Sequence, residues 1–532
     1  MTSTTDRLDS SPTDTTLEHL DVIVVGAGLS GVGAGYRLST EHPGKSWAIL
    51  EARSSMGGTW DLFRYPGVRS DSDMYTLGYQ FKPWREAKSI ADGHSILSYI
   101  KETAAEFGID EHIRYGTRVV GADFSTAEAR WTLTLDVTDQ SGTSQQQITC
   151  GFLYCCSGYY DYAKGYNPDI PGLDTFEGTV VHPQFWPDDL DYAGKNVVVI
   201  GSGATAVTLV PSMARDAGHV TMLQRSPTWI SAVPGRDKQA DKIRDLLPAG
   251  LAHSVIRIKN ILFSTGFYQF CRRRPQAARR LLTNLSTKIL GDEKLVAEHF
   301  TPEYNPWDQR LCAVPDADLF KAMKKGKASV VTDRIASVRP DGIDLQSGAS
   351  LPADVIVTAT GLQLLAFGGI EPKVDGVTVD LSKQFVWQGA MMTGVPNFAI
   401  CIGYTNASWT LRADLTSRLV CRVLGYMDDK DFASIVPQPD GPLEERPLLD
   451  LQSGYVQRSI DAFPRQGDHG PWLVRQNYIL DSVTTLRGDL GKTLSGTPRR
   501  SVRRAAGVAR RAPQKTTHRQ LGVDDGWSSP YG

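Results

Sequence analysis

The chain has 532 residues, 41% of them apolar, and carries 57 Lys and Arg against 59 Asp and Glu for a net charge of −2. That length can hold two or three domains with a substantial core, and the balanced charge gives no reason to expect a nucleic acid or other polyanionic partner. No stretch reaches the roughly 18 apolar residues that a membrane-spanning helix requires. The seven cysteines show no CxxC spacing, which suits reduced cytoplasmic thiols and offers neither a disulfide framework nor a metal site.

In chain order, the polar segment over residues 1–19 lacks the apolar centre of a signal peptide and is expected to be disordered. DVIVVGAGLSGVGAGYRLS (Asp21–Ser39) reads as buried strand, glycine turn and helix, with a second strand at SWAILEAR. WTLTLDV and FLYCCSGYY follow as strands of the same unit, with Cys155 and Cys156 as core residues at a strand end. After the aromatic-rich FEGTVVHPQFWP (Phe176–Pro187), NVVVIGSGATAVTLVPSMA (Asn196–Ala214) and HVTMLQRS repeat the strand, turn, helix and strand. Helical periodicity with arginine clusters marks an insertion over about 238–300. SLPADVIVTATGLQ (Ser350–Gln363) is a further buried strand with a tight turn. ASWTLRADLTSRLVCRVLGYM reads as a long amphipathic helix, and residues 488–532 form a basic tail expected to be disordered.

The class implied is α/β, with two Rossmann-like dinucleotide-binding domains. The first is expected over 20–165 and 346–487. The second is expected over 166–345, with the helical insertion inside it.

Each domain carries a glycine loop between strand and helix. In the first, Gly26 permits the turn, Gly28 lets the backbone approach a pyrophosphate and Gly31 lets helix and strand pack closely, with Ser30 inside the loop. Glu51 ends the following strand, where a carboxylate accepts hydrogen bonds from a ribose diol. In the second loop, Gly201, Ser202, Gly203, Ala204, Thr205 and Ala206 give a GxGxxA variant, and the next strand ends in Gln224, Arg225 and Ser226. Arg225 and Ser226 suit a 2′-phosphate, so this site favours NADPH over NADH. A nicotinamide that delivers hydride needs an acceptor able to pass electrons on, which points to FAD in the first domain. The Thr358–Gly361 turn is expected to bring backbone amides to it.

FEGTVVHPQFWP matches FxGxxxHxxxW(P/D) at Phe176, Gly178, His182, Trp186 and Pro187. A second pattern, GxWxxxx(F/Y)PGxxxD, is met by Gly58, Trp60, Tyr65, Pro66, Gly67 and Asp71. By these motifs the sequence resembles the type I Baeyer–Villiger monooxygenases over about residues 20–480, and within them the ethionamide-activating subgroup. The resemblance implies that NADPH reduces FAD, that O2 adds as a C4a-peroxyflavin, and that one oxygen enters a ketone to give an ester or lactone. Sulfide or thioamide oxidation can coexist with this. It also implies Arg310, in NPWDQRL, as the permanent cation beside the oxygen adduct, with Asp71 positioning it.

Thr59, Trp60, Asp61, Leu62, Arg69, Ser70 and Val119 are implied as further cofactor residues, and His182 as a hinge residue that couples the domains without touching substrate. Gln309 stands where several relatives have a lysine, which leaves more of NADPH binding to Arg225. Asn406, Ser408 and Trp409 are expected near the flavin or substrate. The competing enzyme reading is a flavin N- or S-monooxygenase without ketone oxygenation, against which Trp186 and Pro187 argue. A disulfide reductase would need a cysteine pair beside the first loop, yet the first cysteine is Cys150. The arginine-rich insertion and tail leave a peripheral lipid contact open; native substrate and oligomeric state are not legible.

Overall fold

A computed structural model of the chain describes residues 17–449 and 451–502. The first sheet forms around His19–Val25, whose Val22, Ile23 and Val24 are fully buried, as a run covered on both faces requires. This strand pairs in parallel with Trp47–Leu50 on one side and with the end of Gly142–Cys155 on the other. The start of Gly142–Cys155 pairs antiparallel with Arg130–Asp139, which pairs with Thr117–Ser125. One long strand thus serves a parallel nucleotide-type sheet and an antiparallel meander. Because His19 is already in the sheet, the N-terminal segment ends slightly before residue 19; the rest of it lies outside the described residues.

The second sheet is wholly parallel, in the order Ala328–Thr332, His219–Gln224, Asn196–Ile200, Val355–Thr358, Thr179–Val181. Val355–Thr358, expected in the first domain, lies between two strands of the second, its four side chains all buried. The chain therefore returns to the first domain after Thr358 and not at residue 346. The outgoing segment Tyr160–Gly165 and the returning segment Leu362–Leu364 pair antiparallel, so the two crossings form one ribbon.

The insertion is four helices, Lys238–Leu246, Ala249–Arg273, Pro275–Leu290 and Glu293–His299. Asp237 and Asp292 cap the first and last by accepting backbone N–H bonds, and Gly291 ends the third in a left-handed conformation. The expected amphipathic helix is Trp409–Asp429, and it is central: Leu29–Glu41 and Tyr478–Arg487 pack against it, burying even Arg412, Asp414, Thr416 and Ser417. The expected start of a disordered tail at 488 is also corrected. Leu494–Pro498 pairs antiparallel with Phe432–Pro437, Leu490 and Leu494 are buried, and Arg499 meets Asp428 at 3.0 Å. Residues 503–532 of the tail lie outside the described part.

Candidate active site at the domain junction

A cavity of about 820 Å³ runs between the two sheets, and both glycine loops open onto it. In the first loop Gly26 has φ +98°, and a β-carbon at Gly31 would sit 1.8 Å from the Gly26 carbonyl oxygen, so helix and turn touch backbone to backbone. Glu51 is buried, its Oε2 accepting from the Ala27 N–H at 2.7 Å and its Oε1 from the Arg53 N–H at 2.9 Å. Burial raises its pKa, and those two amides oppose the rise. Ser30 lines the cavity and its Oγ accepts from the Trp409 indole N–H at 2.7 Å. Val119 lines the same end.

The second loop is built more openly. Gly201 has φ +136° and lies against the Ala359 carbonyl, but a β-carbon at Gly203 would meet nothing within 4 Å among the described residues. Ser202, Ala204 and Thr205 line the cavity, with Ser202 Oγ 2.7 Å from Thr228 Oγ1. Gln224 turns inward, donating to the His299 carbonyl and Thr332 Oγ1, both at 2.8 Å, while Arg225 and Ser226 stay exposed at the rim. Arg225 has no ion pair among the described residues. These residues fit two dinucleotides: two backbone cradles, a fixed carboxylate behind one and an available guanidinium behind the other.

Between the loops, Arg310 Nε donates to Asp71 Oδ2 at 2.7 Å and its Nη2 lies 2.6 Å from the same oxygen. The Asp71 carboxylate raises the Arg310 pKa further, against burial, so this cation is permanent. Two residues away Arg69 pairs with Asp318 in the opposite sense. One loop of the first domain thus offers a cation and an anion, each matched by its opposite in the second domain. The same motif carries Phe63 and Tyr65 into the second domain's core, and a β-carbon at Gly67 would fall 1.9 Å from Ser212 Oγ. Burial pushes the Tyr65 hydroxyl up to about 12, partly offset by its hydrogen bond with Thr205.

The remaining expected residues divide. Thr59, Trp60, Arg69 and Ser70 line the cavity, Thr59 Oγ1 lying 3.2 Å from the Tyr162 hydroxyl. Asp61 and Leu62 face away. Asp61 pairs with Arg53 at 2.8 Å and accepts from Ser55 Oγ at 2.6 Å, and Leu62 packs on the second domain's core. Gly31 and Ala206 are packing residues behind their loops. Trp409 lines the cavity, but Asn406 donates to the Gln476 carbonyl and Ser408 Oγ meets Thr76 Oγ1, both outside it.

Phe176, Gly178, His182 and Trp186 do not line the cavity. Phe176 packs under the second sheet, and a β-carbon at Gly178 would strike its ring. A β-carbon at Gly165 would fall 2.4–2.7 Å from the His182 ring, which thus rests on the outgoing crossing. His182 Nδ1 accepts from the Gln184 N–H at 3.2 Å. Its Nε2 has no partner of hydrogen-bond geometry among the described residues, although the Gly361 backbone, on the returning crossing, lies close enough to oppose the lowering of its pKa by burial.

Sequence reasoning missed the wall around Arg310. Tyr159, Tyr160 and Tyr455 surround its charge, each hydroxyl raised by burial and drawn back by Arg310. Arg458 stacks over Tyr166 at 3.4 Å. The tyrosine-rich run after Cys156 was a signal for the first two; nothing local marks Tyr455 or Arg458.

Residues 85–240 match the model of the flavin-binding monooxygenase-like family, and residues 24–86 that of an NAD(P)-binding Rossmann-like domain. The FAD-containing monooxygenase EthA of Mycobacterium tuberculosis (strain ATCC 25618 / H37Rv) is 52% identical over 476 residues, covering 89% of this chain and 96% of the relative. The chain belongs to the FAD-containing monooxygenases. This is the family that the two fingerprints indicated. Among solved structures, an oxidised steroid monooxygenase bound to NADP superposes with a TM-score of 0.70 at 23% identity, covering 90% of this chain and 99% of that one. OTEMO in complex with FAD and NADP gives 0.65 at 24% identity, covering 79% and 88%. Both share the fold with two dinucleotide-binding domains.

Proposed function

We propose that this flavin monooxygenase uses NADPH and O2 to insert one oxygen atom into ketones, giving esters or lactones, and that it also oxygenates sulfur in sulfides or thioamides. The observation that carries the proposal is the Arg310–Asp71 pair, set in the cavity onto which both glycine loops open. FAD would lie on Gly26, Gly28 and Glu51, and the nicotinamide cofactor on Gly201, Gly203, Arg225 and Ser226. Bound FAD, once reduced by the nicotinamide, supplies the activation of O2.

The chain's own residues would do the rest. Arg310 holds a charge that cannot leave as a proton, and so stabilises negative oxygen developing beside it, including that of an attacked carbonyl. Asp71 fixes the guanidinium through two contacts to one oxygen, leaving its remaining N–H groups free to face the cavity. Tyr159, Tyr160 and Tyr455 limit water around that charge, which strengthens it.

Arg310→Ala tests this with a linear methyl ketone and a methyl sulfide as paired substrates. Ester formation is expected to fall by about 10²–10³-fold, while NADPH still reduces the flavin. Ester at the wild-type rate in that variant overturns the role. Sulfoxide without ester from the unaltered enzyme would make it an S-monooxygenase instead.

A further inference from the structure

Eleven of the seventeen large apolar side chains that are exposed among the described residues gather on the helical insertion and on Tyr478–Arg487. On Ala249–Arg273, Leu251, Val255, Ile258 and Leu262 recur at the spacing of one helix face, and Phe263 beside them is 73% exposed. The opposite face, with Ala252, Ile256 and Ile261, is buried against the protein, so the exposed stripe is not this helix's route into the core. Tyr478 packs against the cluster of Ile261, Tyr404 and Leu411, and Ile479, Leu480 and Val483 that follow it are exposed. Soluble monomers seldom expose an apolar helix face of this length without a partner.

Charge indicates which partner. Residues 238–300 contain twelve Lys and Arg and five Asp and Glu, a net of +7 in a chain whose total is −2. Lys242, Arg273, Arg274 and Arg280 are exposed and have no ion pair among the described residues. Among the described residues no helix is long and apolar enough to cross a membrane. An apolar stripe in a basic surround is the combination that lies in the plane of an anionic bilayer, the side chains entering the acyl boundary and the cations meeting phosphate. A nucleic acid would use the charge and leave the leucines and Phe263 in water.

We infer that the insertion is a lipid-docking surface that seats the enzyme on anionic membranes through Leu251, Ile258, Leu262 and Phe263. The inference does not depend on the substrate. The full-length holoenzyme is mixed with vesicles of phosphatidylcholine alone, or with about 30% phosphatidylglycerol added, and floated through a density gradient. Binding is expected to be at least about tenfold stronger with the anionic vesicles. Combined Leu251→Ser, Ile258→Ser, Leu262→Ser and Phe263→Ser should lower it about tenfold or more, with flavin content and NADPH oxidation unchanged. Arg273→Gln with Arg274→Gln should weaken binding severalfold and flatten its salt dependence.

Failure of the unaltered protein to float with anionic vesicles overturns the inference. Undiminished flotation of the serine variant also overturns it, because the basic residues after 502, present in both proteins, would then be carrying the contact. A third overturning result is sedimentation showing a dimer that the serine variant dissociates, with no vesicle binding; the stripe would then seat a second copy of the chain.

Discussion

The two glycine loops come from nearly the same sequence pattern yet are built to different tolerances. The first is closed: Gly31 lies against the Gly26 carbonyl, Gly28 faces Gly58, and Glu51 is locked by two backbone amides. The second is closed behind Gly201 but open in front of Gly203, with Arg225 exposed and without an ion partner among the described residues. Tight backbone packing suits a group that stays bound. An open cradle with an uncommitted cation suits one that arrives, delivers hydride and leaves.

The largest way to test that contrast is Gly31→Ala. Its β-carbon would meet a backbone oxygen at 1.8 Å, a clash that no side-chain movement relieves. Destabilisation of about 3 kcal/mol or more is expected, with protein purifying largely free of flavin by absorbance. Near-normal Tm and flavin content would show that the first loop is not the rigid one. Arg225→Ala comes next. A hydrogen-bonded charge at a phosphate is worth about 1.5–3 kcal/mol, so kcat/KM for NADPH should fall by roughly 10–150-fold while that for NADH stays level. Equal loss with both cofactors would remove the 2′-phosphate from the account. Gly203→Ala is the gentler counterpart of Gly31→Ala: normal folding and flavin content, with KM for NADPH raised about tenfold as the methyl enters the pyrophosphate's approach. An unchanged KM would mean the cofactor does not pass there.

Both loops, the insertion and the place of Arg310 in the cavity were legible because each is written locally, as a strand followed by glycines, as helical periodicity, or as a motif. What stayed hidden depends on pairing between distant segments. Val355–Thr358 looks the same in sequence whether it joins one sheet or the other, since a parallel strand buried on both faces carries no mark of its neighbours. The ribbon of Tyr160–Gly165 and Leu362–Leu364 unites two short segments with no strand signal of their own. Within the GTWDLFRYPG motif, proximity misled: Asp61 and Leu62 sit among cavity residues in sequence, but one helical turn points them toward Arg53 and toward the second domain's core. Tyr455 and Arg458 reach the site from far along the chain, and only tertiary structure brings them there.

The ribbon also gives the contrast between loops a mechanical side, because an opening second site needs crossings that can move. His182 rests on Gly165 of one crossing and faces Gly361 of the other, with burial lowering its pKa. The sign follows from linkage. In the window below the ordinary histidine value of 6.5, the unfolded chain binds more protons than the folded one, so stability rises with pH there and is lost on acidification. His182→Gln should flatten that part of a Tm-versus-pH curve taken from about pH 5 to about pH 7.5, an effect smaller than those above. If the crossings act as a hinge, the same variant should also slow NADPH-driven flavin reduction while leaving flavin content intact. A flattened Tm curve with an unchanged reduction rate would leave His182 as packing alone, and the open second loop would then need another source of motion.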